Sequence, residues 1–193
     1  MKYSNIHTHT TFSDGADTPE KMAERACELG FCSLGFSDHS EMLSRLGQNL
    51  NLEAYGAYRD GIAKVKEAFE GEIEIFFGVE KDYFSEIPWD WFDYVLGSVH
   101  FLKTSEGFHP IDLAQKQQED YVRDCCKGDP MEYAKRYYEA VVIHAQKNPF
   151  QVQGHFDLVN KFGLFDGAWE AYHRVALEAL DEVLACVRYI EVT

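Results

Sequence analysis

The chain has 193 residues, and its 46% apolar content is typical of a single globular domain. Its 33 acidic and 18 basic residues give a net charge of −15, which argues against the positive surface that a nucleic-acid polymer requires. No apolar run approaches the roughly 20 residues of a membrane-spanning helix, and Met1 leads directly into a strand pattern rather than a signal peptide. The five cysteines are odd in number and form no Cys-x-x-Cys pair, so we expect reduced thiols and a cytoplasmic protein.

Strands and helices alternate along the first half of the chain. Thr18 and Pro19 are typical of a helix start, and Gly30 and Gly71 are typical of helix ends. The patterns predict strands over 3–7, 32–39, 73–80 and 92–100, helices over 18–30 and 52–70, and a long loop over 40–51.

The second half continues this alternation after a polar segment between His100 and Asp129. Asp129, Pro130 and Glu132 form a strong helix start of the capping-box type. We predict helices over 112–126, 129–149 and 167–185, and strands over 152–157 and 187–192. Repeated strand–helix units with apolar strands favour a parallel sheet.

The segment from Ile6 to Gly15 carries the first candidate ligands. His7 and His9 are two positions apart on an extended segment, so their imidazoles point to the same side, with backbones about 6–7 Å apart. Asp14 follows on a Ser-Asp-Gly turn, where a carboxylate could face the same pocket. The pattern indicates a metal site.

Four later predicted strands have a further histidine or glutamate at their carboxyl ends. In parallel α/β barrels, the catalytic residues lie at the carboxyl ends of the strands. These residues are His39, Glu80, His100 and His155. Imidazole suits zinc, iron and manganese, and a carboxylate can bridge two cations, so the set favours a polynuclear centre over a single zinc ion. The remaining histidines are interpreted as ordinary packing or surface residues: His109, His144 and His173.

In their order along the chain, these motifs resemble those of the PHP (polymerase and histidinol phosphatase) family. The residues of the fourth and fifth motifs are similar to those of its histidinol-phosphatase branch. The motifs are His7-x-His9 with Ser13-Asp14-Gly15, Asp38-His39, Gly78-Val79-Glu80, Gly97-Ser98-Val99-His100 and Gly154-His155-x-Asp157. The resemblance implies a distorted (β/α)7 barrel with a trinuclear metal site. By motif, it assigns His7, His9 and Glu80 to a first metal, Glu80, His100 and His155 to a second, and Asp14 and His39 to a third.

The chain departs from the family at its end. The family supplies two more ligands from an Asp-x-His motif on a last strand, whereas this sequence ends at Glu191-Val192-Thr193. We therefore expect residues 1–193 to form one PHP domain that is incomplete at its C-terminus, without the last strand and helix.

The resemblance implies a metal-dependent phosphatase with two or three divalent ions of zinc, iron or manganese. The favoured reaction is hydrolysis of L-histidinol phosphate, a step of histidine biosynthesis, by a hydroxide that bridges two metals. The residues expected to hold the metals are His7, His9, Glu80, His100 and His155. Lys161 follows the last motif and could bind the substrate phosphate. Two alternatives stay open: a PHP phosphoesterase acting on nucleotides, and a catalytically impaired metal-binding module. We expect a small phosphorylated substrate as partner, with neither nucleic-acid polymer nor membrane.

Overall fold

The computed structural model describes residues 3–41 and 52–192. The predicted loop over 40–51 lies outside the described residues from position 42 onward. Backbone contacts divide the chain into two compact units, Met1–Leu96 and Gly97–Thr193, each of which is described by itself.

The first unit is built on parallel strands. Strand β1 (Tyr3–Asn5) pairs with β2 (Phe31–Phe36), and β2 pairs with β3 (Glu74–Asp82). Strand β4 (Tyr94–Ser98) begins beside β3 and runs to the start of the second unit. The predicted parallel pairing is therefore confirmed, although β1 and β2 end two to three residues earlier than predicted.

Two helices cover this sheet. Helix α1 (Pro19–Glu28) starts at Thr18, whose side chain accepts a hydrogen bond from the Lys21 amide. Helix α2 (Leu52–Ala68) packs on β3, and its buried face consists of apolar and aromatic residues: Tyr55, Tyr58, Ile62 and Val65. Both helices occupy the predicted positions, since their caps and apolar spacing are local features.

The described part of the second unit contains three α-helices and four short strands. The helices are α3 (Gln115–Cys125), α4 (Pro130–Lys147) and α5 (Trp169–Leu184). Strands β5 (Phe101–Thr104) and β6 (Gly107–Pro110) form an antiparallel hairpin, whereas β7 (Val152–Gln153) and β8 (Tyr189–Ile190) are parallel. Helix α4 packs against α5 and supplies the aromatic core of the unit: Tyr133, Tyr137 and Tyr138.

The hairpin is the main correction to the predicted elements. The sequence predicts a polar segment without strands after His100, but β5 and β6 pair there across a two-residue turn at Ser105 and Glu106. The fifth predicted strand is also shorter, because the chain leaves the extended conformation after Gln153. Among the described helices, none is long and apolar enough to cross a membrane. The single, incomplete domain over 1–193 stays a prediction.

The start of α4 gives a test of local stability. The Asp129 carboxylate accepts a hydrogen bond from the Met131 amide at 2.9 Å, so Asp129→Ala leaves a helix donor without its cap. We expect the free energy of unfolding, measured by urea denaturation, to fall by about 1 kcal/mol. Asp60→Ala, which removes an exposed carboxylate in α2, should change it by less than about 0.5 kcal/mol. Equal effects would contradict the capping role.

Candidate metal centre

The Glu80 carboxylate is the centre of a histidine cluster in the first unit. Its side chain is only 1% exposed, and Oε2 lies close to a ring nitrogen of each of three imidazoles. The distances are 3.3 Å to Nε2 of His7, 3.1 Å to Nε2 of His9 and 2.9 Å to Nδ1 of His39. The structure thus brings together four of the residues predicted as ligands.

The ends of β2 and β3 place two of these side chains next to each other. His39 forms a parallel bridge with Glu80, and the Ser40 amide donates to the Glu80 carbonyl oxygen at 2.8 Å. Side chains of directly paired residues lie on the same face of a sheet, so the His39 ring meets the Glu80 carboxylate.

His7 and His9 come from the segment that follows β1. This segment continues along the end of β2, because the Ser37 amide donates to the Thr8 carbonyl oxygen at 2.9 Å, and Thr8 Oγ1 donates to the Gly35 carbonyl oxygen at 2.7 Å. With Thr8 bonded to β2, the imidazoles on either side of it reach Glu80, and their ring centroids are 5.3 Å apart. The predicted same-side arrangement of the His-x-His pair matches this geometry.

Asp14 joins the cluster through two of the histidines. Its Oδ1 lies 2.8 Å from Nδ1 of His9, and its Oδ2 lies 3.6 Å from Nε2 of His39. Hydrogen bonding to His39, with a smaller contribution from His9, lowers the pKa of the Asp14 carboxyl well below its usual range, against the opposing effect of partial burial. The turn requires glycine at Gly15, where an added Cβ would lie 2.2 Å from the His9 carbonyl oxygen.

The donor set of this cluster fits a divalent cation. The ligand atoms of His9, His39 and Glu80 all lie within 4.8 Å of one another. Nε2 of His9 is buried, and although it lies 3.1 Å from Glu80 Oε2, it makes no hydrogen bond of acceptable geometry with the part of the chain that the structure describes. A buried carboxylate is costly unless it is compensated, and zinc or a related ion bound by two imidazoles and a carboxylate would compensate it.

His100 and His155 form a second pair within the other unit. Both side chains are buried, and their ring centroids are 4.8 Å apart in an edge-to-face arrangement. The Gly154 amide donates to the Gly97 carbonyl oxygen at 3.0 Å, which joins the two motifs backbone to backbone. An added Cβ at Gly154 would lie 2.4 Å from Ser98 Oγ, so this close approach requires glycine.

The backbone of His155 is held in an unusual conformation with a φ of +22°, which is uncommon for a residue other than glycine. The Tyr137 hydroxyl donates to its carbonyl oxygen at 3.2 Å, and its own amide donates to the Glu191 carboxylate at 2.9 Å. Sequence reasoning missed this role of Glu191. The available signal was an acidic residue at the end of the last predicted strand.

The other predicted residues lie in ordinary surroundings. Lys161 donates to the Asp112 carbonyl oxygen at 3.1 Å, and it is about half exposed. His173 packs on the exposed Trp169, with ring centroids 4.1 Å apart, and the fully buried His144 packs on Phe150. His109 packs against aromatic rings of α3 and α4: Tyr121 and Tyr133.

Comparison with known proteins agrees with this fold. The model of the PHP domain matches residues 5–193, so the chain belongs to the PHP domain family. Among curated relatives, a protein of Deinococcus radiodurans named "Probable histidinol-phosphatase" is 30% identical over 175 residues. That match covers 83% of this chain and 62% of the relative, so the chain spans less than two thirds of its length.

Two solved structures share the fold. A candidate histidinol phosphatase of Listeria monocytogenes has a TM-score of 0.73 at 21% identity, over 93% of this chain and 79% of that chain. A histidinol phosphate phosphatase of Lactococcus lactis, solved with zinc, L-histidinol and phosphate, has a TM-score of 0.68 at 22% identity. The second match covers 96% of this chain and 69% of the other. These likenesses confirm the predicted fold class, the distorted α/β barrel of the PHP type.

The contact at Gly154 gives a specific prediction. Gly154→Ala should lower the free energy of unfolding by about 1–3 kcal/mol, because the new methyl group overlaps Ser98 Oγ. Adding Ser98→Ala removes that oxygen and should restore much of the loss in denaturant unfolding. Gly167→Ala, where a Cβ meets no atom within 4 Å, is the matched control and should cost little. Failure of the double variant to recover would contradict the proposed overlap.

Proposed function

We propose that this chain is a metal-dependent phosphatase that hydrolyses phosphate monoesters, with L-histidinol phosphate as substrate. The observation that carries the proposal is the buried Glu80 carboxylate, whose Oε2 lies within 3.3 Å of ring nitrogens of three histidines. Membership of the PHP family and the likeness to a structure that contains zinc, L-histidinol and phosphate support it. The alternatives, nucleotide hydrolysis and a catalytically impaired metal-binding module, are separate outcomes of the tests below.

The proposed ligand sets follow the family pattern. His7, His9 and Glu80 would hold one metal, Glu80, His100 and His155 a second, and Asp14 and His39 a third. The clustering of His7, His9, Asp14, His39 and Glu80 in one unit supports their assignment, and the contact between His100 and His155 supports theirs. Zinc, iron and manganese all suit such imidazole and carboxylate ligands.

When bound, divalent cations in such a centre activate water as a nucleophile and withdraw negative charge from the phosphoryl oxygens. The protein's part is to hold the ligands in place. Glu80 supplies a negative charge where two cations would otherwise repel, and the imidazoles bind as neutral donors. The chain carries a net charge of −15, so it needs bound cations to attract a phosphate ester. Lys161 is a proposed phosphate contact that would first exchange its partner Asp112.

The proposed setting is the cytoplasm, in histidine biosynthesis. The described residues include all five cysteines, and none of them forms a disulfide. Free thiols are typical of a reducing compartment.

The bridging role of Glu80 predicts the most damaging conservative substitution. Glu80→Gln retains the volume but removes the charge, so we expect it to lose at least one metal ion per chain. Elemental analysis of the purified, zinc-loaded or manganese-loaded protein measures this content. His173→Gln, which changes a histidine that packs on Trp169 and belongs to no proposed ligand set, is the control and should retain the wild-type content. An unchanged metal content in Glu80→Gln would contradict the bridging assignment.

The substrate is tested by comparing phosphate release from three esters by the metal-loaded protein. We expect kcat/KM for L-histidinol phosphate to exceed the values for nucleoside monophosphates and an aryl phosphate by at least about tenfold. A difference of about 1.4 kcal/mol in transition-state binding is sufficient for this factor. Chelation should abolish the release. Faster turnover of nucleotides would favour the nucleotide phosphoesterase, and full metal content without any turnover would favour the impaired module.

A further inference from the structure

Asp38 is a fully buried carboxylate next to the predicted ligand His39, and it belongs to none of the proposed ligand sets. Its Oδ1 accepts hydrogen bonds from the Thr10 amide at 2.8 Å and from Ser13 Oγ at 2.7 Å. Thr10 Oγ1 donates as well, at 3.1 Å from Oδ1 and 3.0 Å from Oδ2. All these donors belong to the short turn that carries His9 and Asp14.

The turn is internally organised around Thr10. The amides of Ser13 and Gly15 both donate to the Thr10 carbonyl oxygen, at 3.0 and 2.9 Å. The Phe12 amide donates to Thr10 Oγ1 at 3.1 Å, so the proton of this hydroxyl is directed towards Asp38. One residue therefore connects the whole turn to the buried carboxylate.

The alternation of side chains explains why Asp38 and His39 have different tasks. Neighbouring residues of an extended segment point to opposite sides, so His39 faces Glu80 and Asp14 while Asp38 faces the turn. The same alternation operates in the opposing segment, where His9 faces Glu80 and Thr10 faces Asp38. The Asp38-His39 dipeptide, just after β2, thus contacts both sides of the turn.

The strength of these bonds depends on charge. Hydrogen bonds to an ionised carboxylate are about twice as strong as bonds between neutral groups. A buried carboxylate also needs every bond it can accept, because losing one leaves a desolvated charge. The three donor groups and Asp38 therefore stabilise one another in a single arrangement of the turn.

We propose that Asp38 is a positioning residue of the metal centre, which sets the place of His9 and Asp14 relative to His39 and Glu80 and thereby strengthens metal binding. The inference rests on the proposed metal centre, since it assumes that these four side chains bind a cation. It adds a residue that binds no metal itself and acts through the turn. Partners that orient metal ligands typically change the metal affinity 10–100-fold when they are removed (an order-of-magnitude range).

The test compares zinc affinity, measured by competition with a chelator, in the full chain and in its variants. Asp38→Asn keeps the shape but removes the charge, and we expect about 10–100-fold weaker binding. Thr10→Val and Ser13→Ala keep the charge and remove one donor each, so each should weaken binding by a smaller factor. The matched control is Asp93→Asn, which changes a carboxylate that accepts from the Phe77 amide and Lys66 in the same unit. The zinc affinity of Asp93→Asn should stay within about threefold of wild type, because Asp93 shares no hydrogen-bond partner with Asp38 among the described residues.

A second measurement follows the turn without metal. Amide hydrogen exchange at Thr10, Ser13 and Gly15 should be faster in metal-free Asp38→Asn than in wild type, and unchanged in Asp93→Asn. If Asp38→Asn does not fold, Thr10→Val and Ser13→Ala decide the question by the same two measurements.

Each outcome distinguishes this inference from the proposed function. Zinc binding by wild type with unchanged affinity in all the turn variants overturns the positioning role alone. Unchanged exchange in the turn overturns it as well, whatever the affinity. If wild type binds no zinc, manganese or iron, the proposed metal centre fails, and the positioning role towards metal fails with it.

Discussion

The burial of the Glu80 carboxylate among imidazoles is the constraint around which the first unit is arranged. A carboxylate that is 1% exposed has lost nearly all its water, and such a charge costs several kcal/mol unless nearby groups compensate it. The compensation comes from segments that are far from β3 in sequence: His7 and His9 follow β1, and His39 follows β2. The parallel pairing of β2 with β3 matters functionally because it places His39 beside this charge.

Two glycines and one strained residue allow the ligand segments to approach so closely. Gly15 and Gly154 each lie where a side chain would collide with a neighbouring ligand segment, at the His9 carbonyl oxygen and at Ser98 Oγ. His155 accepts a positive φ, and Tyr137 and Glu191 bond to its backbone. The predicted motifs therefore contain structural positions as well as candidate ligands. Gly154, next to His155, is part of the site because its lack of a side chain allows its backbone to approach Ser98.

The acidic character of the chain and its proposed anionic substrate are compatible only through bound cations. A chain with a net charge of −15 repels a phosphate ester at long range, whereas the proposed cluster of divalent ions would reverse the field locally. Imidazole ligands would suit this purpose, because imidazole binds a cation as a neutral donor and adds no negative charge. In the proposed centre, Glu80 and Asp14 would supply the negative charge that separates or anchors the ions. Electrostatics thus explains why the proposed site combines carboxylates with a larger number of histidines.

The sequence by itself determined the helices and the candidate ligands. Caps such as Thr18 and Asp129 are local signals, and the His-x-His spacing fixes two side chains on one side of an extended segment. Only the tertiary structure decided the β5–β6 hairpin, the hydrogen bond from the His155 amide to Glu191 and the inward-facing position of Asp38. Each of these depends on a partner residue that local sequence patterns do not predict. Asp38 shows the difference most clearly: adjacency to His39 marks it in the sequence, but its partners lie 25–28 positions away. Their identity follows from strand pairing, which is a long-range property of the fold.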